Sequence, residues 1–149
     1  MELLKGNMLE SFLSESIYPP KQQGEYSFDL TIKTIYQMTQ GGALDFGGSE
    51  YEEAVSSELK PVKADPEDKY GWWELRKDEG PYIVTFNERL QKAGHAATFV
   101  FPDQRLLRSG GGFSPQIVED GEITVLVVVN TPTLRIKENA RVGKLVAIK

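Results

Sequence analysis

Two arginines three residues apart, Arg105 and Arg108, run into Ser109 and then three consecutive glycines, Gly110 to Gly112. Guanidinium groups bring fixed positive charge with several donors, and glycines let backbone amides come close to a ligand. Phosphate oxygens suit that combination. The segment is not a Walker loop, because no Gly-Lys-Ser/Thr follows. A few residues on, Glu119, Asp120 and Glu122 gather carboxylates. Magnesium triphosphate takes oxygen ligands of this kind, and a carboxylate can orient an attacking water. The residues alone leave both segments open, since a glycine-rich stretch is commonly only a loop and an acidic turn commonly only solvated. The single histidine, His95, stands without an elbow motif, so no serine–histidine–acid arrangement can be assembled.

Bulk composition narrows the classes. The 149 residues suggest one domain, 1–149, with a good-sized core. Hydrophobic and charged fractions of 40% and 26% are ordinary for a globular chain. A formal charge of −5 argues against general affinity for nucleic acid, while leaving room for a local basic pocket. Without cysteine there is no disulfide, thiolate zinc site or cysteine nucleophile. No apolar run suits a signal peptide or a membrane span, so no membrane partner is expected and the expected location is cytoplasmic.

The elements that must position these residues read mainly as strands. Gly121 to Lys149 carries the densest β signal. Ile123 to Val129 has no polar face and reads as a strand buried on both sides. Asn130-Thr131-Pro132 breaks it, Leu134 to Lys137 alternates, Glu138-Asn139 turns with Asn139 able to go left-handed, and Arg141 to Ile148 is a last strand. Upstream, Met1 to Ile17 has apolar residues at helical spacing and Pro19-Pro20 as a stop. Tyr26 to Met38, Tyr70 to Leu75, Tyr82 to Phe86 and Thr98 to Phe101 read as further strands. Asp29, among apolar neighbours, must be solvated or paired. Glu50 to Asp68 reads as an exposed acidic insertion with an edge strand. Trp72 and Trp73 suit packing better than base stacking. Many short strands with Gly and Pro punctuation give an all-β barrel or sandwich of jelly-roll type.

The order of motifs resembles the dCTP deaminase and dUTPase superfamily. Gly24-Glu25-Tyr26-Ser27-Phe28-Asp29-Leu30 is similar to its Gly/Ala-x-Ser-x-Asp-Leu strand, and Gly80 to Glu88 (GPYIVTFNE) to its Pro-Gly-Glu opening and Thr-x-Glu close. Asp103 to Gly110 keeps Leu106, Arg108 and Gly110 of the Arg-Ser-Ser-Leu-x-Arg-x-Gly segment. Gly121 to Asn130 and Ile136 to Leu145 match the closing Gly-x-Ile-x-Leu and Ile-x-Pro-Gly-x-Arg-Ile-x-Gln-Leu motifs, with Glu138-Asn139 in place of Pro-Gly.

The resemblance implies a distorted jelly-roll β-barrel, or β-clip, with a short N-terminal helix. It implies a homotrimer with sites between subunits and a pyrimidine deoxynucleoside triphosphate bound with Mg2+. The implied activity is dUTP to dUMP and pyrophosphate; the alternative is an inactive nucleotide-binding or structural trimer that kept the fold. Carried over, the nucleotide and phosphate contacts are Arg105, Arg108, Ser109, Gly110 and Asp29, with Asp29 near the subunit junction and Arg141 more structural. The serines of the family segment are Gln104 and Arg105 here, and its first arginine is Asp103. The deaminase glutamate falls at Leu126-Val127, so cytosine deamination by the family mechanism is not expected. The dUTPase aspartate falls at Gln116 in the literal register, or at Asp120 or Glu119 in a shifted one. Gln116 and Asp120 are therefore the catalytic candidates, and Glu119 and Asp120 the metal candidates.

Overall fold

The computed structural model describes residues 1–91 and 94–149. In chain order the elements are α1 (Gly6–Leu9), a 3-10 turn (Glu10–Phe12), β1 (Leu13–Ser14) and α2 (Pro19–Gln22). The strands β2 (Phe28–Gln40), β3 (Val55–Glu58), β4 (Trp72–Arg76), β5 (Tyr82–Leu90) and β6 (Ala97–Pro102) follow. Then come α3 (Gln104–Ser109), β7 (Gly111–Gly112), β8 (Gln116–Val118), β9 (Gly121–Val129), β10 (Thr133–Lys137) and β11 (Arg141–Ile148). One curled sheet runs β7-β9-β5-β2-β11-β6-β8, with β1 added on β5 and β3 on β2. β10 pairs with β4 in a separate ribbon. Every pairing between these strands is antiparallel. The all-β half-barrel with a short N-terminal helix is the architecture expected.

The core follows the pleat. Ile123, Val125, Val127 and Val129 of β9 point inward against Tyr82, Val84 and Phe86 of β5 and Phe28, Leu30 and Ile32 of β2. Each such aliphatic side chain contributes about 1.5–3 kcal/mol by leaving water. The expectation that β9 is buried on both sides is corrected here. Its other face alternates outward, with Leu126 at 42% and Val128 at 47% exposure. Apolar composition gives the strand but not which side is covered.

The N-terminal helix is also shorter than Met1 to Ile17. It stops after one α turn and a 3-10 turn. The chain then bends into pairing, Leu13 opposite Leu90 and Leu3 opposite Ile148. Ladder hydrogen bonds satisfy the backbone there, and Leu4, Leu9 and Leu13 still reach the core. Asn139 does take the left-handed conformation, at φ 67°. The acidic insertion supplies the edge strand β3 on β2.

Along β2, Phe28, Leu30 and Ile32 fill the core, so the alternate residues Asp29 and Thr31 face the other way. That second face is nonetheless buried, because α2, α3 and the start of β11 lie over it. This covered polar face is where the chemistry-bearing residues gather.

Candidate functional site

α3 owes its place to its two ends. The Asp103 side chain accepts from the Arg105 backbone N–H at 2.8 Å, an N-cap, and Gly110 closes the helix at φ 106°. A Cβ at Gly110 would crowd Thr131, so the left-handed close and the tight approach both require glycine. The stretch expected as a glycine-rich loop is thus a six-residue helix. Its i, i+4 pair Arg105 and Ser109 faces one cleft, and Arg108 turns to solvent.

Behind that cleft stands a compact ion cluster. Asp29, 5% exposed, accepts from Arg105 at 3.2 Å, from Arg141 at 3.2 Å and from Lys144 at 2.8 Å. Lys144 is its direct cross-strand partner between β11 and β2. Arg105 also donates through Nε to Asp103 at 3.0 Å. Burial pushes the Asp103 carboxyl up, but the hydrogen bonds from Arg105 and the charges of Arg105 and Lys144 outweigh it and hold Asp103 below the usual carboxylate range.

A second buried group anchors α2. Gln22, 2% exposed, donates to the Asp29 carbonyl at 2.8 Å and to Glu88 at 2.8 Å, while its own carbonyl oxygen accepts from the Tyr18 N–H at 2.7 Å. Fully buried Glu88 also accepts from the Thr31 N–H and hydroxyl at 2.8 Å and 2.7 Å. Burial raises its pKa, and these donated bonds offset only part of the rise. Arg141 closes the frame by donating to the Lys21 carbonyl at 3.2 Å.

Between α2, α3, β10 and the start of β11 lies a cleft of about 510 Å³. Among the described residues its charged lining is Lys21, Arg105, Arg135, Lys137 and Arg141, with no carboxylate. Ile17, Leu106, Leu134, Ile136 and Val142 make its apolar walls, and Trp72 stands at one side. Arg135 and Lys137 project from β10 over the Trp72 ring, at 4.5 Å and 5.6 Å from its centre. Five cations in one cleft of a chain that carries −5 overall make a site for a polyanion, and the apolar walls suit a ligand with a flat or apolar part.

Of the residues singled out from sequence, Arg105 and Ser109 line the cleft. Gly110 caps α3. Asp29 sits behind the cleft and orients two of its cations, and a carboxylate in that place repels phosphate rather than binding it. Gln116 lies exposed on β8, opposite Val100. Glu119 and Asp120 line a different depression, with Leu90, Thr98 and Ile117. Among the described residues no three His, Cys, Asp or Glu side chains gather as a metal site. Lys21, Arg135 and Lys137 went unseen in the sequence. The i, i+2 cations of β10 were the available signal, but only the pairing of β10 with β4 shows that they share a face with Trp72.

No family model matches the sequence. A Methanosarcina barkeri protein named probable deoxyuridine 5'-triphosphate nucleotidohydrolase is 30% identical over 139 residues, 91% of this chain and 77% of its own length. The chain belongs to the dCTP deaminase and dUTPase superfamily. Proteins of the same name from Methanosarcina mazei, 29% identical over 148 residues, and Methanosarcina acetivorans, 31% over 121, agree. The chain covers 81% and 66% of those two relatives. The crystal structure of 2'-deoxycytidine 5'-triphosphate deaminase from Agrobacterium tumefaciens shares the fold, at TM-score 0.70 and 12% identity over 97% of this chain. The chain spans 47% of that deaminase's length. Of the two positions on which the resemblance sets the deaminase glutamate, Leu126 faces outward and Val127 fills the core. No helix among the described residues is long and apolar enough to cross a membrane.

Proposed function

We propose that the chain is a dUTPase-type nucleotide hydrolase: a cytoplasmic homotrimer that binds a pyrimidine deoxynucleoside triphosphate, dUTP first, and converts it to the monophosphate and pyrophosphate. One observation carries the reading, the cleft lined, among the described residues, by five cations and no carboxylate. The names of the relatives support the choice of dUTP. Arg105, Ser109, Arg141 and Lys21 hold phosphate oxygens, and the apolar walls beside Trp72 take the nucleoside. Magnesium enters with the triphosphate as part of the substrate. Water adds at phosphorus, the bond between the α- and β-phosphates breaks, and pyrophosphate leaves. The proton of the water goes to a carboxylate, for which Asp120 and Glu119 are the candidates. Since they line another depression of their own protomer, this role requires them to come from a neighbouring subunit.

A second reading is binding without turnover, favoured by a cleft lining that holds no carboxylate among the described residues. Pyrophosphate release from magnesium dUTP by the purified chain decides between them. Release that is lost in Asp120→Asn supports hydrolysis, and binding without release supports the second reading. Absence of binding by dUTP or dCTP contradicts both.

A further inference from the structure

Glu138 and Asn139 turn the chain from β10 into β11, and their bonds fix where the turn stands. The Glu138 carboxylate accepts from the Gly71 N–H at 2.7 Å, and the Glu138 N–H donates to the Gly71 carbonyl at 3.0 Å. The turn is thereby tied to the residue before Trp72. The Asn139 N–H donates to the Ile32 carbonyl at 3.0 Å, which ties it to β2 as well. Asn139 and Trp72 both line the cationic cleft. A backbone at φ 67° is met at least as well by glycine, so asparagine brings a side chain that the turn does not need.

That side chain is held in one sense. Asn87 on β5 donates through Nδ2 to the Thr31 and Ile32 carbonyls at 3.4 Å and 3.2 Å. The same nitrogen donates to the Thr31 hydroxyl at 3.0 Å and to Asn139 Oδ1 at 2.9 Å. Backbone carbonyls only accept, so the Asn87 amide cannot turn over, and Asn139 must meet its nitrogen with oxygen. The Asn139 nitrogen then faces away from Asn87. It has no acceptor among the described residues, where no buried side-chain nitrogen or oxygen lacks a partner, so it opens to solvent. Other neutral side chains of the lining differ. Gln22 and Thr31 spend their groups within the frame, and the hydroxyls of Tyr18 and Ser109 can rotate to donate or accept.

We propose that the Asn139 amide reads the base of the bound nucleotide, donating to the C4 carbonyl of uracil and refusing the C4 amino group of cytosine. Asn87 is the residue that positions it. Two N–H donors set face to face leave both without an acceptor, which penalises the wrong base more than a missing contact would. The inference rests on the reading of the cleft as a nucleotide site and adds the base to it.

Titration of the purified chain with magnesium and non-hydrolysable dUTP and dCTP analogues tests it, read as the ratio of the two affinities. Both analogues carry the same triphosphate, so a change in ratio reports the base rather than the phosphates or the fold. Wild type is expected to prefer the dUTP analogue about tenfold or more. Asn139→Gly keeps the left-handed turn and brings the ratio close to unity. Asn139→Asp still accepts from Asn87 but offers the cleft an acceptor, so it weakens both analogues and reverses the preference. Asn87→Ala, checked for folding by circular dichroism, lets the amide turn over and lowers the ratio. A wild-type ratio near unity, or one that Asn139→Gly and Asn139→Asp leave unchanged, overturns the assignment while the nucleotide reading stands. If wild type binds neither the analogues nor inorganic triphosphate, the nucleotide reading fails and the base assignment falls with it.

Discussion

Arg105 and Asp29 stand 76 positions apart in the chain and meet at 3.2 Å. Because Asp29 also holds Arg141 and Lys144, one buried carboxylate fixes two of the five cleft cations from behind. Asp29→Asn removes the one carboxylate that all three cations share and leaves Asp103 to hold only Arg105 and Lys144. Removing one member of a buried ion pair costs about 3–5 kcal/mol, and partial exposure of these partners reduces that to about 2 kcal/mol. A urea midpoint shifted by that amount, with triphosphate affinity down about tenfold, is the expected outcome. Unchanged affinity contradicts the orienting role.

The one-sided burial of β9 has a direct test. Ile123→Ala is expected to cost about 3 kcal/mol because it empties a core position. Leu126→Ala, three residues along and on the outer face, is expected to cost about 0.5 kcal/mol in urea unfolding. Equal losses contradict the one-sided assignment.

Two carboxylates give opposite pH slopes. Burial raises the Glu88 pKa above the ordinary glutamate value of 4.5. Its contribution to stability is therefore complete below that value and lost as pH rises through the folded pKa. The folded pKa of Asp103 lies below 3.8, so its contribution is present above that value and lost as pH falls through the folded pKa. In Glu88→Gln an amide N–H2 or carbonyl must meet the donors of Thr31 and Gln22, which costs about 1–3 kcal/mol. Compared with wild type by urea unfolding, its deficit is expected to shrink between about pH 4 and about pH 7. An equal deficit at both contradicts the raised pKa.

Gly110→Ala forces a side chain into a left-handed residue against Thr131. A loss of about 2 kcal/mol in thermal unfolding is expected, with weaker triphosphate binding because α3 carries Arg105 and Ser109. Stability and affinity like those of wild type contradict the cap.

Much of the fold was legible because its signals are local. Alternation located β10 and β11, the β-branched run located β9, and Asn139 announced its own left-handed turn. What alternation does not carry is coverage, since Leu126 and Val128 on the outer face of β9 are as apolar as the residues of its inner face. The N-terminal apolar spacing fits a helix and a folded-back strand alike, and pairing of Leu13 with Leu90 decided it. At the site, Arg105 and Ser109 were legible from composition beside glycine. Lys21, Arg135 and Lys137 were not, because their neighbourhood exists only once β10 pairs with β4 and α2 is pinned by Gln22. Asp29 was legible as a residue needing a partner, but its three partners lie 76 to 115 positions away.

The most direct measurement is isothermal titration of magnesium with a non-hydrolysable dUTP analogue into the wild-type chain, Arg105→Ala, Arg141→Ala and Arg108→Ala. The cleft assignment predicts micromolar binding that Arg105→Ala and Arg141→Ala each weaken at least tenfold, about 1.4 kcal/mol or more. Full affinity in both variants, or loss confined to Arg108→Ala, contradicts it.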